Sequence, residues 1–196
     1  MLSQKNSIHR HFKLYKPYGY ISQFVINGRQ KRQKKLLGEL YDFPEGTMAI
    51  GRLDEKSEGL LLLTTDGKTS TLITSGGIEK EYYVQVDGSL SSDSMETMRQ
   101  GVTIGFDGKK YQTQPCIVEL LPEIPDLPER SKKIRDSRHG PTTWIKIVIT
   151  EGKFRQVRKM TSAVGHPTLR LVRVRIGNIH LGDLAVGMVE ELVSIP

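Results

Sequence analysis

The segment Lys80–Asp87, KEYYVQVD, alternates apolar and polar positions, with Tyr82, Val84 and Val86 on one face and Tyr83 and Gln85 on the other. A period of two predicts a half-buried strand. TTWIKIVIT (142–150), YQTQPCIVELL (111–121) and TLRLVRVRIG (168–177) read as longer strands, the last with Arg170, Arg173 and Arg175 partly solvent-facing. The unbroken apolar run Leu60–Leu63 predicts a core strand, and GTMAI (46–50) another just before it. FKLYKPYGYISQFVI (12–26) reads as two short strands joined by a turn at Pro17 and Gly19. Helix signals lie between these runs. LLGELYDF (36–43) predicts a brief helix, Asp66 stands where it can cap one through TSTLITS (69–75), and Ser91 or Ser92 can cap SDSMETMRQ ahead of Gly101. FRQVRKMTSAVGHP (154–167) puts Val157, Met160 and Val164 at core spacing before Gly165 and Pro167.

This mixture of strand and helix signals predicts an α+β fold. Residues 1–10 read as a flexible tail and 11–196 as one domain, or two lobes sharing a cleft. The only long loop is 122–141, which carries five basic residues and three prolines before Pro141. Long loops of this kind are either functional or solvated inserts, and composition alone favours neither.

Composition narrows the partners. The net charge is +7 with an estimated pI of 9.5, and the cations cluster at 28–35, 129–140 and 152–175. Clustered basic charge points to a polyanion. No apolar run approaches the length of a membrane span, and the N-terminal residues lack the apolar core of a secretory signal, so a cytoplasmic setting is expected. The single cysteine, Cys116, cannot form an internal disulfide and reads as a buried, inert thiol in a packed strand. The five histidines have no cysteine or carboxylate cluster at metal-ligand spacing, so no metal is expected. Nothing in the sequence signals an oligomer, and a monomer is expected.

The candidate chemistry lies in IGRLDEKSEGLLLLTTDG (50–67), where Asp54 stands two residues from Arg52 and close to a core strand, between Gly51 and Gly59. On RLD alone, a loop of solvated charges would be the better reading. Asp54, Glu55 and Glu58 could together suggest a glycosidase-like carboxylate pair. They are too adjacent to flank a substrate, and Glu55 and Glu58 look solvent-facing beside Lys56 and Ser57.

Four segments in order, YKPYGYISQF, GRLDEKSEGLLLLTTDG, KEYYVQV and TTWIKIVITEGKFRQVRKMTSAVGHPTLRLVRVRIG, resemble successive motifs of the RNA pseudouridine synthases of the small-subunit-A branch. SQF, PTTW and KMTSAVGHPTLRL are most similar to its E-type members, which modify large-subunit (23S) ribosomal RNA. The resemblance covers most of the chain from Tyr15 onward. It implies the pseudouridine synthase fold, a bent, mostly antiparallel β-sheet with flanking helices and a central catalytic cleft, without an N-terminal accessory RNA-binding domain, and conversion of one uridine to pseudouridine with no cofactor.

The family's catalytic aspartate maps onto Asp54, and its arginine partner onto the QVR motif as Arg158, with Arg155 as alternative. A neighbouring cation favours the charged form of a carboxylate in a closed pocket. Tyr82 takes the place of the tyrosine that stacks on the target base, leaving Tyr83 as the aromatic packed beneath the sheet. Arg52 is assigned to substrate binding, at phosphate or in the space left by the flipped base, and Lys80 to phosphate or backbone support nearby. Leu169 is a candidate apolar wall. Contacts to RNA phosphates are expected from Arg29, Lys31, Arg32, Lys34 and Lys35, from Lys132, Lys133, Arg135 and Arg138, and from Arg170 and Arg173. The chain departs from the family pattern at Lys153 and Phe154, where Arg and Asn or His are usual. A non-catalytic ribosome assembly factor would need the basic surface but not Asp54, Tyr82 and Arg158 together.

Overall fold

The computed structural model describes residues 9–26, 34–75 and 77–195. Among these, strand β1 (His11–Lys16) pairs antiparallel with β3 (Glu58–Thr64) and, on its other edge, with β11 (Val189–Leu192). All seven residues of β3 are buried. Leu61 and Leu63 pack with Phe12, Leu14 and Leu37 in one cluster, while Leu60 and Leu62 pack with Tyr15, Ile50, Ile73 and Val172 in another. A strand covered on both faces needs no polar alternation, which explains the unbroken leucine run.

The second half of the sheet is built from β4 (Lys80–Asp87), β7 (Ile117–Leu120), β8 (Thr142–Ile149) and β9 (Thr168–Ile176). The full nine-stranded sheet runs β11-β1-β3-β9-β4-β8-β7, with β2 (Met48–Ile50) on β3 and β10 (Ile179–His180) on β9. Among the described strands, every pairing is antiparallel except β3 with β9, which meet in parallel at Glu58↔Val172 and Gly59↔Arg173. One edge of β3 is therefore shared between β9 and β2, which pairs with Leu62–Thr64. Gly59 makes this junction possible: at φ +99° it brings the backbones so close that a Cβ would stand 2.3 Å from the Arg173 carbonyl oxygen.

Helices α1 (Gly67–Ser75), α2 (Ser92–Gln100) and α3 (Gln156–Ala163) form where the cap signals lie. Asp66 caps α1, accepting the Lys68 and Thr69 amides at 3.0 and 3.4 Å, and Ser91 Oγ accepts the Ser94 amide at 3.1 Å to cap α2. Met98 of α2 and Val157 and Met160 of α3 pack against Val84, Val86, Ile145 and Ile147 of the sheet.

The structure redraws several expected elements. Residues 17–26 form no second strand, and Tyr20 makes only an isolated bridge with Lys35. LLGELYDF is reduced to a 3₁₀ turn at Leu37–Glu39. The expected strand 111–121 splits at Thr113–Cys116: β6 (Lys109–Gln112) joins β5 (Thr103–Phe106) in a separate hairpin, and β7 joins the main sheet. Pro115 has no amide to continue a ladder. Cys116 therefore precedes β7 and is half-buried, its thiol 3.2 Å from the Met98 carbonyl and pushed up by burial to about 11. The loop 122–141 contains only a 3₁₀ turn at Ser137–His139. No described helix is long and apolar enough to cross a membrane.

Candidate active site

A cleft of about 890 Å³ opens along β9 and β4, between the 50–57 segment and residues 149–157, a size usual for sites that enclose a small molecule or nucleotide. Asp54, Arg52, Lys80, Tyr82, Arg155 and Leu171 are among its lining residues.

Asp54 is held by its own loop from several directions. Leu53 is buried, and Ser22 Oγ both donates to the Leu53 carbonyl (2.9 Å) and accepts its amide (3.0 Å). The Asp54 carbonyl accepts the Ser57 amide at 3.0 Å, and the Glu55 carbonyl accepts the Gly19 amide at 2.8 Å. The Lys56 amide donates to Asp54 Oδ1 at 2.9 Å. The other carboxylate oxygen, Oδ2, faces two guanidinium groups: Arg158 Nε at 3.2 Å and Arg155 Nη1 at 3.3 Å. The side chain of Asp54 remains 16% exposed, open enough for a substrate to reach.

Both arginines left open by the sequence therefore converge on Asp54, but they are not equivalent. Arg158 is 10% exposed and also donates to Lys56 O (2.8 Å), Ser57 Oγ (3.2 Å) and Thr168 O (3.4 Å), which fixes its direction. Burial pulls this guanidinium below its ordinary value, and the Asp54 charge opposes the shift. Arg155 is 34% exposed and sits at φ 54°, ψ 32°, a left-handed conformation that costs a non-glycine residue about 1–3 kcal/mol. That conformation starts α3 at Gln156, two residues later than expected, and turns Arg155 into the cleft. Gln156 holds the bend: its Oε1 accepts the Lys153 amide at 3.0 Å, and its Nε2 donates to Glu151 Oε1 at 2.6 Å. Neither Ser22, Gln156 nor Glu151 carries a sequence signal for this work, because their partners are set by chain crossings.

Tyr82 lies opposite Arg173 in the β4·β9 ladder, is buried, and forms a wall of the cleft at the end of the Val84–Val86 face. The expectation that Tyr83 is the packed aromatic is corrected, since Tyr83 is the less buried of the two. Lys80 lines the cleft with its ammonium bound to Ile78 O (2.8 Å) and Thr150 O (3.3 Å), supporting backbone, and burial followed by the nearby Arg173 charge lowers its pKa. Arg52 is exposed at the cleft and makes no ion pair among the described residues.

Leu169 does not line the cleft. Gln85 pairs with Arg170 and Val86 with Thr168, so Leu169 is the extra residue of a β-bulge, and Leu171 occupies the wall instead. Arg170 and Arg173, expected toward solvent as RNA contacts, are 6% and 3% exposed. Arg170 forms a two-pronged pair with Glu58 at 3.0 and 3.2 Å, and Arg173 Nε donates to Leu60 O at 2.7 Å. Glu58, expected at the surface, is thus a buried partner. Glu55 pairs with Lys34, so all three carboxylates of the glycosidase alternative are committed to cations.

The expected RNA contacts divide. Arg29, Lys31 and Arg32 lie outside the described residues. Lys35 sits 5.4 Å from the Tyr20 ring centroid. Lys132 and Lys133 are exposed, and Arg138 is exposed but paired with Asp136 at 2.6 Å. Arg135 is spent on structure, paired with Asp87 and donating to the carbonyls of His139 and Pro141. Arg170 Nη2 donates to Pro128 O at 2.7 Å and Arg130 Nη1 to Leu169 O at 3.3 Å, with Arg130 stacked 4.6 Å from Tyr18, so the 122–141 loop is fastened beside β9.

A feature unforeseen in the sequence is Lys16, which is wholly buried with its ammonium bound to Pro17 O (2.9 Å) and Tyr20 O (2.7 Å). Burial lowers its pKa to about 7, against the opposing pull of Asp54 and Glu58. Between about pH 7 and the ordinary value of 10.5, the unfolded chain holds a proton at Lys16 that the folded chain has lost, so stability rises with pH across this window. The melting temperature of the wild type should climb between pH 7 and 10 relative to that of Lys16→Met. Parallel curves for the two proteins would rule the assignment out.

The fold meets its counterpart in known proteins. A sequence profile of the RNA pseudouridylate synthase family matches residues 10–163, and the chain belongs to that family, whose members are RNA-modifying isomerases. Its relatives include proteins named ribosomal large subunit pseudouridine synthase E. The one from Xanthomonas axonopodis pv. citri is 43% identical over 174 residues, covering 88% of each chain. The one from Vibrio parahaemolyticus is 40% identical over 181 residues, covering 90% of this chain and 71% of its own. A crystal structure of a pseudouridylate synthase superposes with a TM-score of 0.75 at 26% identity, over 94% of this chain and 70% of the other.

Proposed function

We propose that this enzyme isomerises one uridine of large-subunit (23S) ribosomal RNA, with Asp54 as the catalytic carboxylate acting on a nucleotide flipped out of the RNA. The observation that carries the reading is an accessible carboxylate with two arginines on one oxygen, inside a cleft walled by Tyr82 and Leu171. The reaction breaks the N1–C1′ bond, joins C1′ to C5, moves a proton from C5 to solvent and places one on N1. No atom or electron is gained or lost, so the chemistry asks for placement and charge rather than a redox partner.

In this reading Arg158 and Arg155 fix Asp54 and balance its charge in a partly dry site. Tyr82 offers a face to the extruded base, which has lost its neighbours in the stack. Arg52 reaches toward the RNA backbone or the space the uridine leaves. The protein acts as a monomer on free or partly assembled ribosomal RNA, a polyanion suited to its +7 charge. Lys132, Lys133 and the exposed side of Arg138 supply phosphate contacts from the anchored loop.

Mapping pseudouridine in ribosomal RNA from a strain lacking the protein should show loss of one large-subunit site, regained with the wild-type gene. If every site persists in the deletion strain, the reading fails. The two arginines should separate kinetically. Arg155→Ala, which removes a half-exposed and singly bonded group, should slow turnover about tenfold, and Arg158→Ala about a hundredfold, measured in single-turnover assays. Equal losses would contradict the ranking by burial.

A further inference from the structure

Phe154 lies at the cleft, one residue before the arginine that reaches Asp54, and is 67% exposed. A single exposed apolar side chain is ordinary on any protein surface and by itself carries nothing. This ring, however, is held in place. The Lys159 ammonium sits 5.3 Å from the ring centroid and donates to the Gly105 carbonyl at 2.7 Å, which couples the ring to the β5–β6 hairpin. Its backbone is pinned on both sides. The Gln156 amide donates to Lys153 O at 3.0 Å, Gln156 Oε1 accepts the Lys153 amide, and Gln156 Nε2 is anchored to Glu151. Glu151 in turn accepts the Gln114 amide at 2.8 Å and the Tyr111 hydroxyl, so the turn is tied to the neighbouring hairpin as well.

The fold thus presents a preorganised aromatic to solvent at the mouth of the cleft, beside Arg155 and near Lys153 and Lys159. An aromatic face among cations suits a nucleobase, which stacks by its π-face while the cations meet the phosphates on either side. When a uridine is extruded into the cleft, the base next to it in the chain loses a stacking partner. We infer that Phe154 is a substrate-binding residue that stacks on an unpaired base flanking the target uridine. This rests on the RNA-isomerising reading above and adds to it a subsite outside the reacting nucleotide. A preformed platform avoids part of the cost of ordering the complex.

The decisive measurement is a titration of Asp54→Asn/Phe154→Trp protein with an unmodified 23S ribosomal RNA transcript. Trp144, the native tryptophan, is 9% exposed on β8 and provides a constant background measured in Asp54→Asn alone. Quenching of the added tryptophan by RNA is expected, and a signal no different from the background overturns the proposal. In steady-state assays Phe154→Ala should raise KM about tenfold, the factor that about 1.4 kcal/mol of stacking provides, with kcat within about twofold. Phe154→Tyr should restore KM, whereas Phe154→Leu should resemble alanine. A leucine variant with wild-type KM would mean that apolar bulk suffices and would overturn stacking. If every pseudouridine site persists in the deletion strain, the functional reading fails, while the fluorescence titration still decides whether a base stacks here.

Discussion

Asp54→Asn should reduce single-turnover pseudouridine formation by at least about 10²–10⁴-fold, the range lost when a positioned proton-transfer or charge-bearing group is neutralised. The substitution changes almost no volume and leaves Oδ1 in place to accept the Lys56 amide. Arg158 keeps its bonds to Lys56 O, Ser57 Oγ and Thr168 O, so the guanidinium is not stranded. The fold should survive, and affinity for RNA should stay within a few-fold of wild type, because phosphate contacts lie elsewhere. A rapid-quench assay for pseudouridine, paired with filter binding, reads both quantities. An Asn variant that turns over at the wild-type rate would remove Asp54 from the chemistry, whichever step the carboxylate performs.

Glu58→Gln should lower stability by about 3–5 kcal/mol, because it strands the Arg170 charge in the interior. Glu58 and Arg170 are 2% and 6% exposed, and no solvent is at hand to take over the lost partner. For a chain of this size that corresponds to a fall in melting temperature of roughly 6–20 °C. The pair also supports the site: Glu58 begins β3 four residues after Asp54, and Arg170 holds the 122–141 loop through Pro128. Glu58→Met combined with Arg170→Met should recover much of the loss, since a well-packed apolar pair costs little where an ion pair was buried. Calorimetry on the single and double variants measures the effect, and an unchanged melting temperature for Glu58→Gln would show that the pair contributes nothing. Proteolysis within 122–141 should rise in the double variant even where stability returns, because the Pro128 anchor is gone.

The importance of Glu58 shows where reading the sequence stopped. Asp54 is singled out by motifs that resemble the family's in order, and each motif is a contiguous stretch of the chain. The same holds for the caps at Asp66 and Ser91, the alternation of β4 and the amphipathic α3, whose periodicities are properties of a single segment. Leu169 and Arg170 were misplaced because alternation assumes an unbroken ladder. The bulge opposite Gln85–Val86 exists only in the pairing of β9 with β4, and it resets which residues face the cleft. Charge adds a second limit. Arg173, Arg170 and Lys16 look like surface residues in any window of sequence, and each is buried by partners that lie elsewhere or, for Lys16, by the fold around its own loop.

The sequence by itself therefore determined the α+β composition, the positions of most strands and helices and the family, and through the family's motifs it nominated Asp54, Tyr82 and Arg158, with Arg155 as alternative. Tertiary structure alone decided that both arginines meet the same oxygen of Asp54, that Leu171 replaces Leu169 at the wall, and that Glu58 and Arg170 leave the surface. The physical reason is separation along the chain. The β4·β9 register, buried ion pairing and the approach of Gly59 to Arg173 are interactions between residues about 80 or more positions apart, where no local period or propensity reports who the neighbour will be.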